Sequence, residues 1–375
     1  MARQIPRFVH DWQLDMLDIA GVGNGMIHDY LQYIAPEERR QREDFEYMEL
    51  YNAREYQKRY RLTKDTVNEI MTRVQGELDT GHVGGLNVSE LVHPTLRYYA
   101  TGTFQSAVGD MCGNVHQTSI SRTIRQVSRV IATNYKEECI RMPNTPQEIH
   151  EVMQSFYDIA GMPYTLASVD GSHVCILGRG GEFGELYRNR KGYFSLNIQA
   201  ACDPILKIRD LVTRWFGSCH DSTVFGNSRL RADLELLRYG QRCFVLGDNG
   251  YSNLPYLLTP FLKPTNRQER RYNAAHKSTR NTVERMFGVW YRRFPCLSLG
   301  IRLKDLQDIQ AVIMTTACLH NIAISAREQE PEDEQEVVQR VARWRRRHPQ
   351  PQNVRRDERL PLNISRREQI VREFF

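Results

Sequence analysis

Three carboxylates stand in contexts suited to work on a phosphodiester. Asp170 lies in Ala-Ser-Val-Asp-Gly-Ser-His, Asp248 in Phe-Val-Leu-Gly-Asp-Asn-Gly-Tyr, and Glu284 in Asn-Thr-Val-Glu-Arg-Met-Phe-Gly. The first two follow short apolar runs that read as buried strands, and the third sits in an Arg-rich run with helical periodicity. In-line attack on phosphorus is assisted by two Mg²⁺ or Mn²⁺ ions, roughly 3.5–4 Å apart, that stabilise the entering and leaving oxygens. Such hard cations take oxygen ligands, and Mg²⁺ uses about one or two carboxylates while keeping several waters. An Asp at a strand end is short and firmly placed; a Glu on a packed helix approaches from the side. Gly171, Gly247 and Gly250 beside them permit tight turns and close approach of a substrate backbone.

Each acid also has a plain structural reading. Asp170-Gly171 and Asp248 before Asn249-Gly250 are turn sequences. Glu284 stands four residues after Arg280, the spacing of a helical ion pair. Their joint occurrence, in order and on the expected elements, favours a metal site. Asp221, in Gly-Ser-Cys-His-Asp-Ser, is a fourth candidate: an acid at a helix start or a further metal ligand. Residues 263–293 carry nine Lys or Arg against Glu269 and Glu284, a net +7. That field suits a phosphate backbone, with Arg271, Lys277, Arg280 and Arg285 as candidate contacts. Arg188-Asn189-Arg190-Lys191-Gly192 offers Arg190 and Lys191 as well. His173 and His276 could touch substrate, although isolated histidines are more often structural. The glycine-rich segment 178–184 is not a dinucleotide loop, because Phe183 stands where the pattern needs glycine; it reads as a hairpin loop.

Positioning these groups requires a platform. Residues 164–174, 193–202 and 205–216 read as three consecutive strands, 222–238 as a helix, 243–246 as a fourth strand, and 282–294 and 305–326 as helices. Strand-strand-strand-helix-strand-helix is the order of an RNase H-like α/β domain, here 151–326. Residues 51–150 read as all-α. Thr63 caps a helix with Val67, Ile70, Met71 and Val74 as its stripe. Three short helices follow, near 95–100, 104–111 and from Gln117, in a helix-turn-helix outline around Gly113. The third keeps Ser119, Ser121, Arg122, Arg125 and Arg129 on its polar side, with Arg122 and Arg125 the candidate DNA contacts. A helical bundle with a solvated Arg face fits the same pattern. Residues 1–50 read as an N-terminal arm and 327–375 as a flexible charged tail. Six acids fall in 328–336, then eight Arg against two acids in 340–359. The basic part is either a nuclear-localisation or nucleic-acid patch, or simply solvated.

A chain of 375 residues has room for two or three domains. Its 41% apolar content is ordinary for a globular protein, and a net charge of +6 is a mild bias toward nucleic acid. Eight cysteines include no Cys-x-x-Cys pair, so zinc-finger spacing is absent. No secretory apolar segment opens the chain and no apolar run reaches membrane length. The expectation is a reducing compartment, cytoplasm or nucleus, with no membrane contact.

Further motifs surround the acids in a fixed order: Ala160-Gly161-Met162-Pro163, Asn189-Arg190-Lys191-Gly192-Tyr193-Phe194-Ser195-Leu196-Asn197-Ile198-Gln199, Leu258-Thr259-Pro260, and Arg271-Tyr272-Asn273-Ala274-Ala275-His276. Together with the acid motifs, they make the chain resemble the PIF/Harbinger transposases and the transposase-derived nucleases of that family, which are DDE superfamily endonucleases. The likeness is strong over about 160–325. It implies an RNase H-like DDE domain that uses a divalent metal. Asp170, Asp248 and Glu284 match the catalytic triad, and Asp221 matches a recurring acid that can join the metal set. It further implies DNA and a separately encoded Myb-like DNA-binding protein as partners, with nuclear as well as cytoplasmic location; homo-oligomerisation is left open. The expected function is a metal-dependent DNA nuclease of transposase descent. The alternatives are a domesticated DNA-binding or scaffold protein without turnover, and an active Harbinger transposase.

Overall fold

The computed structural model describes residues 46–78, 86–331 and 365–375. The expected arm up to residue 45 and the Arg-rich stretch 340–359 lie outside the described residues. Among those described, six helices precede the first strand: α1 (Ala53–Tyr60), α2 (Lys64–Leu78), α3 (Val88–Thr101), α4 (Gln105–Met111), α5 (Gln117–Cys139) and α6 (Pro146–Ala160). The sequence places a helix start near Thr95, but α3 begins seven residues earlier. An Asn87/Glu90 capping box opens it, and Pro94 lies inside. An internal Pro costs one helical hydrogen bond, and the cap and the burial of Leu91, Val92 and Leu96 offset that. At Gly102 (φ +56°) the helix stops. A Cβ there would meet Cys296 Cα at 3.0 Å. Helix α5 buries Ile120, Ile124, Val127 and Ile131 along one stripe, as their spacing predicts. Helix α6 falls before residue 164 in a stretch to which the sequence analysis assigns no helix of its own. Thr145 and Glu148 form its capping box and Gly161 (φ +73°) ends it.

Five strands follow in one mixed sheet, in the order β3-β2-β1-β4-β5. They are β1 (Thr165–Cys175), β2 (Ser195–Cys202) and β3 (Ile208–Phe216), then helices α7 (Asp221–Gly226) and α8 (Arg229–Glu235), then β4 (Phe244–Leu246) and β5 (Leu257–Leu258). The first three pair antiparallel, and β1–β4 and β4–β5 pair parallel. The helix expected over 222–238 is broken in two, because Ser228 turns out of the first piece and caps the second. Three helices then run on: α9 (Arg267–Arg293), α10 (Cys296–Leu299) and α11 (Leu306–Ser325). Helix α9 starts fifteen residues before the expected 282, from an Asn266 cap bonded to Glu269.

Helices α9 and α11 cover one face of the sheet. Val174, Ile198, Ala200 and Cys202 join Val283, Met286 and Trp290 in a cluster continuous with the N-terminal helices. On the other face Ala167, Val169 and Ala201 pack against Phe225, Leu230 and Tyr251. Strand β2 is buried along its whole length.

The flexible-tail expectation for 327–375 is corrected at both of its described ends. Glu328 turns back into the core, where it pairs with Arg293 (3.6 Å) and accepts bonds from Thr63 N, Thr63 Oγ1 and Thr66 Oγ1. Helix α12 (Arg366–Phe374) opens with a Ser365/Glu368 capping box. It buries Ile370 and Val371 against Met162, Leu258 and Tyr272. Apolar residues at helical spacing behind a cap overrode the surrounding charge.

Candidate active site

Alternation along β1 decides which side chains meet α9. Ser168, Asp170 and Ser172 project toward it. Ser168 Oγ bonds Thr279 O (3.4 Å), Asp170 Oδ2 meets Arg280 Nη1 (3.2 Å), and Ser172 Oγ accepts Tyr291 OH (2.8 Å). Strand β4 pairs with β1 only as far as Ser168. Asp170 therefore sits just past the end of β4, where the sheet opens. Asp248 follows β4 by two residues and folds back onto its own turn, Oδ1 accepting Gly250 N at 2.8 Å. Glu284, half exposed on α9, is paired with Arg280. The structural alternative for Glu284, an i, i+4 pair with Arg280, is thus present, and the same guanidinium also reaches Asp170.

Asp221 approaches from the opposite side of β1. A side chain on Gly171 would run into its carboxylate, 2.6 Å from Cγ. Asp221 Oδ1 accepts from Asn197 Nδ2 at 2.9 Å, and the same amide bonds Cys219 O. Three carboxylates thus gather around one strand. Asp170 is pushed up to about 7. Burial is the main cause, Asp248 and Asp221 add to it, and Arg280 and the Gly171 N–H oppose it. Burial chiefly, and then the field of all three aspartates, holds the phenol of Tyr251 well above the usual range.

The donor set is all oxygen and crowded with negative charge, so it fits a hard divalent cation chemically. The present arrangement does not close on a point. Among the described residues, no three His, Cys, Asp or Glu side chains are grouped to hold a metal ion. Arg280 lies between Asp170 and Glu284 instead.

The basic candidates divide by location. Lys277 and Arg285 are exposed on α9, flanking Glu284 and Arg280 along the helix. Arg271 is exposed there too, and its Nη1 donates to Phe375 O (2.8 Å). The charges of Arg190 and Lys191 reach His173 on β1; burial chiefly, and these two cations, lower its pKa to about 4. His173 is a neutral structural group that bonds Ser195 Oγ (3.0 Å). His276 is likewise buried, on Leu258 O. Arg122 and Arg125 lie on α5, which packs on α2, α3, α4 and α11, apart from the carboxylates on β1 and α9.

Sequence reasoning missed a polar row on β2. Ser195, Asn197 and Gln199 alternate with Leu196, Ile198 and Ala200, and all are buried. The row holds His173 through Ser195, Asp221 through Asn197, and Tyr251 through Gln199 (3.4 Å). Three polar residues at alternate positions of a buried strand were the available signal, since buried polar groups need partners.

Residues 169–321, from β1 into α11 and so including all four acids, match the model of the DDE superfamily endonuclease family. The human protein named Putative nuclease HARBI1 is 32% identical over 231 residues, 61% of this chain and 65% of that protein. Its namesake from Rattus norvegicus matches at the same identity and coverage. Protein ALP1-like of Arabidopsis thaliana is 24% identical over 276 residues, 70% of this chain and 67% of that protein. The match to the animal relatives thus spans 65% of their length. No solved structure matches. Residues 169–321 are a DDE superfamily endonuclease domain, and the chain is homologous to the animal HARBI1 proteins and to the plant ALP1-like protein.

Proposed function

We propose that this protein is a transposase-derived nuclease that hydrolyses DNA phosphodiester bonds with Mg²⁺ or Mn²⁺. The observation that carries the reading is the convergence on Asp170. It is a strand carboxylate pushed up to about 7 by burial and by two neighbouring aspartates, at the point where β4 ends and α9 brings Glu284 alongside. The strand order, three antiparallel strands followed by two parallel ones, supports an RNase H-like plan for 151–326. Asp170 and Asp248 would hold the cations, with Glu284 completing the set and Asp221 as the fourth acid. Bound there, the cations would stabilise the entering and leaving oxygens.

The chain's own groups would do the rest. Lys277 and Arg285 on α9, with Arg190 and Lys191 beyond His173, would attract and hold the phosphate backbone near the acids. Helices α4 and α5 would act as the helix-turn-helix-like part of a DNA-binding region over 51–150, with Arg122 and Arg125 at the DNA. A separately encoded Myb-like partner, and residence in nucleus and cytoplasm, belong to the same reading and rest on the family likeness.

The test uses the full chain and supercoiled plasmid. Nicking is expected with Mn²⁺ or Mg²⁺, absent in EDTA, and lost in Asp248→Asn. Equal nicking by wild type and Asp248→Asn, or none with either ion, would sink the proposal.

A further inference from the structure

The site contains a cation of the protein's own. Arg280 Nη1 lies 3.2 Å from Asp170 Oδ2, and Nη2 bonds Glu284 Oε1. The Arg280 side chain is 16% exposed, against 22% for Asp170 and 50% for Glu284. One guanidinium therefore ties the strand acid to the helix acid. A guanidinium does not deprotonate in a protein, so this counterion is permanent. The second oxygen of Asp170 accepts Gly171 N–H at 2.9 Å. A divalent cation at Asp170 would need one of these oxygens at about 2.0–2.1 Å. It would then stand against the guanidinium, like charge against like.

We propose that Arg280 is an exchangeable cation. It bridges Asp170 and Glu284 while no metal is bound, gives up Asp170 when a divalent ion enters, and then takes a phosphate of the DNA backbone. The inference rests on the metal and DNA reading above. Three features favour the exchange. Arg280 has a long side chain on α9, about one turn from exposed Lys277 and from half-exposed Glu284, so it has a short route to solvent. Its planar fork pairs with phosphate as well as it does with carboxylate, so either partner satisfies it. Lys277 and Arg285 on the same helix supply the phosphate-attracting surroundings into which it would turn. Metal and Arg280 would compete for Asp170, while metal and DNA would cooperate through Arg280.

Two measurements on the full chain separate the parts. Mn²⁺ binding by titration calorimetry is compared for wild type, Arg280→Gln, Arg280→Lys and Asp170→Asn. Removing a partly buried competing charge should tighten Mn²⁺ binding by about tenfold in Arg280→Gln. Arg280→Lys keeps the charge and should stay near wild type, and Asp170→Asn should lose binding. Duplex binding by fluorescence anisotropy is then compared with and without Ca²⁺. Ca²⁺ should tighten wild-type binding by about tenfold, the scale of one charge-assisted contact, and should leave Arg280→Gln nearly unchanged. If Arg280→Gln binds Mn²⁺ no tighter than wild type while Asp170→Asn still loses it, the exchange is wrong and the metal reading stands. If Asp170→Asn binds Mn²⁺ as wild type does, the metal reading fails and the exchange with it. If Ca²⁺ helps DNA binding equally in Arg280→Gln, the hand-over to phosphate is overturned. Thermal melts of the two Arg280 variants exclude unfolding as the cause.

Discussion

Replacing Asp170 with Asn should make the metal-free protein more stable at alkaline pH. The ordinary value for this carboxyl is 3.8, and in the fold it is raised to about 7. A carboxyl raised by folding is protonated more readily in the native than in the unfolded state. Its contribution is therefore fully present below the unfolded value and is lost as pH rises through about 7. Above that pH the native state must carry a charge that its surroundings disfavour. At 1.36 kcal/mol per pKa unit the full difference is about 4 kcal/mol. Asn keeps one oxygen for the two donors now on Asp170, Gly171 N and Arg280, and relaxation will absorb part of the cost. A realistic gain is about 2 kcal/mol at pH 8, or, for a compact unit of this size, a rise in Tm of roughly 3 °C. The assay is thermal unfolding in EDTA from pH 4 to pH 8.5. The excess stability of Asp170→Asn should be largest above pH 7 and shrink toward pH 4. A variant less stable than wild type at pH 8 would refute the reasoning, because Arg280 would then have outweighed burial and the neighbouring acids.

Further outcomes follow from the same contacts. Glu328→Gln breaks a pair whose side chains are 2% and 1% exposed, so urea unfolding should show a loss of about 3 kcal/mol. Gly171→Ala drives a Cβ to 2.6 Å from Asp221 Cγ; a loss of about 1–3 kcal/mol is expected in the same assay. Lys277→Ala with Arg285→Ala should weaken duplex binding without regard to sequence and lower the slope of log K against log salt by about 2, read by anisotropy.

The sequence made the acids legible because each follows or faces an apolar run whose period names its element. The 164–174 and 243–246 runs became β1 and β4 within a residue, and Asp170 and Asp248 fell at the sheet's opening. Helix boundaries were less legible where polar stretches intervene. The first half of α9 carries four Arg among other polar residues, so its buried stripe, Tyr272, Ala275, His276 and Thr279, is thin in apolar side chains until Val283. Helices α6 and α12 each join a capping box to apolar residues at helical spacing, Ile149, Val152, Met153 and Phe156 in the first and Ile370, Val371 and Phe374 in the second, so cap and stripe together were the available signal. The double role of Arg280 was not readable at all. Its contact with Glu284 is local, four residues away, but its contact with Asp170 spans 110 residues and exists only once α9 lies across β1.

The central claim is that Asp170 is a metal-holding carboxylate of a nuclease, and a change of ligand tests it most directly. Asp170→Cys substitutes a soft donor for a hard one, which Mg²⁺ accepts poorly and softer ions accept well. Single-turnover cleavage of a labelled duplex by this variant should fail in Mg²⁺ and return in Mn²⁺ or Cd²⁺. Cleavage in Mg²⁺ at the wild-type rate would contradict the account, as would failure to recover in either softer ion by a variant that melts like wild type.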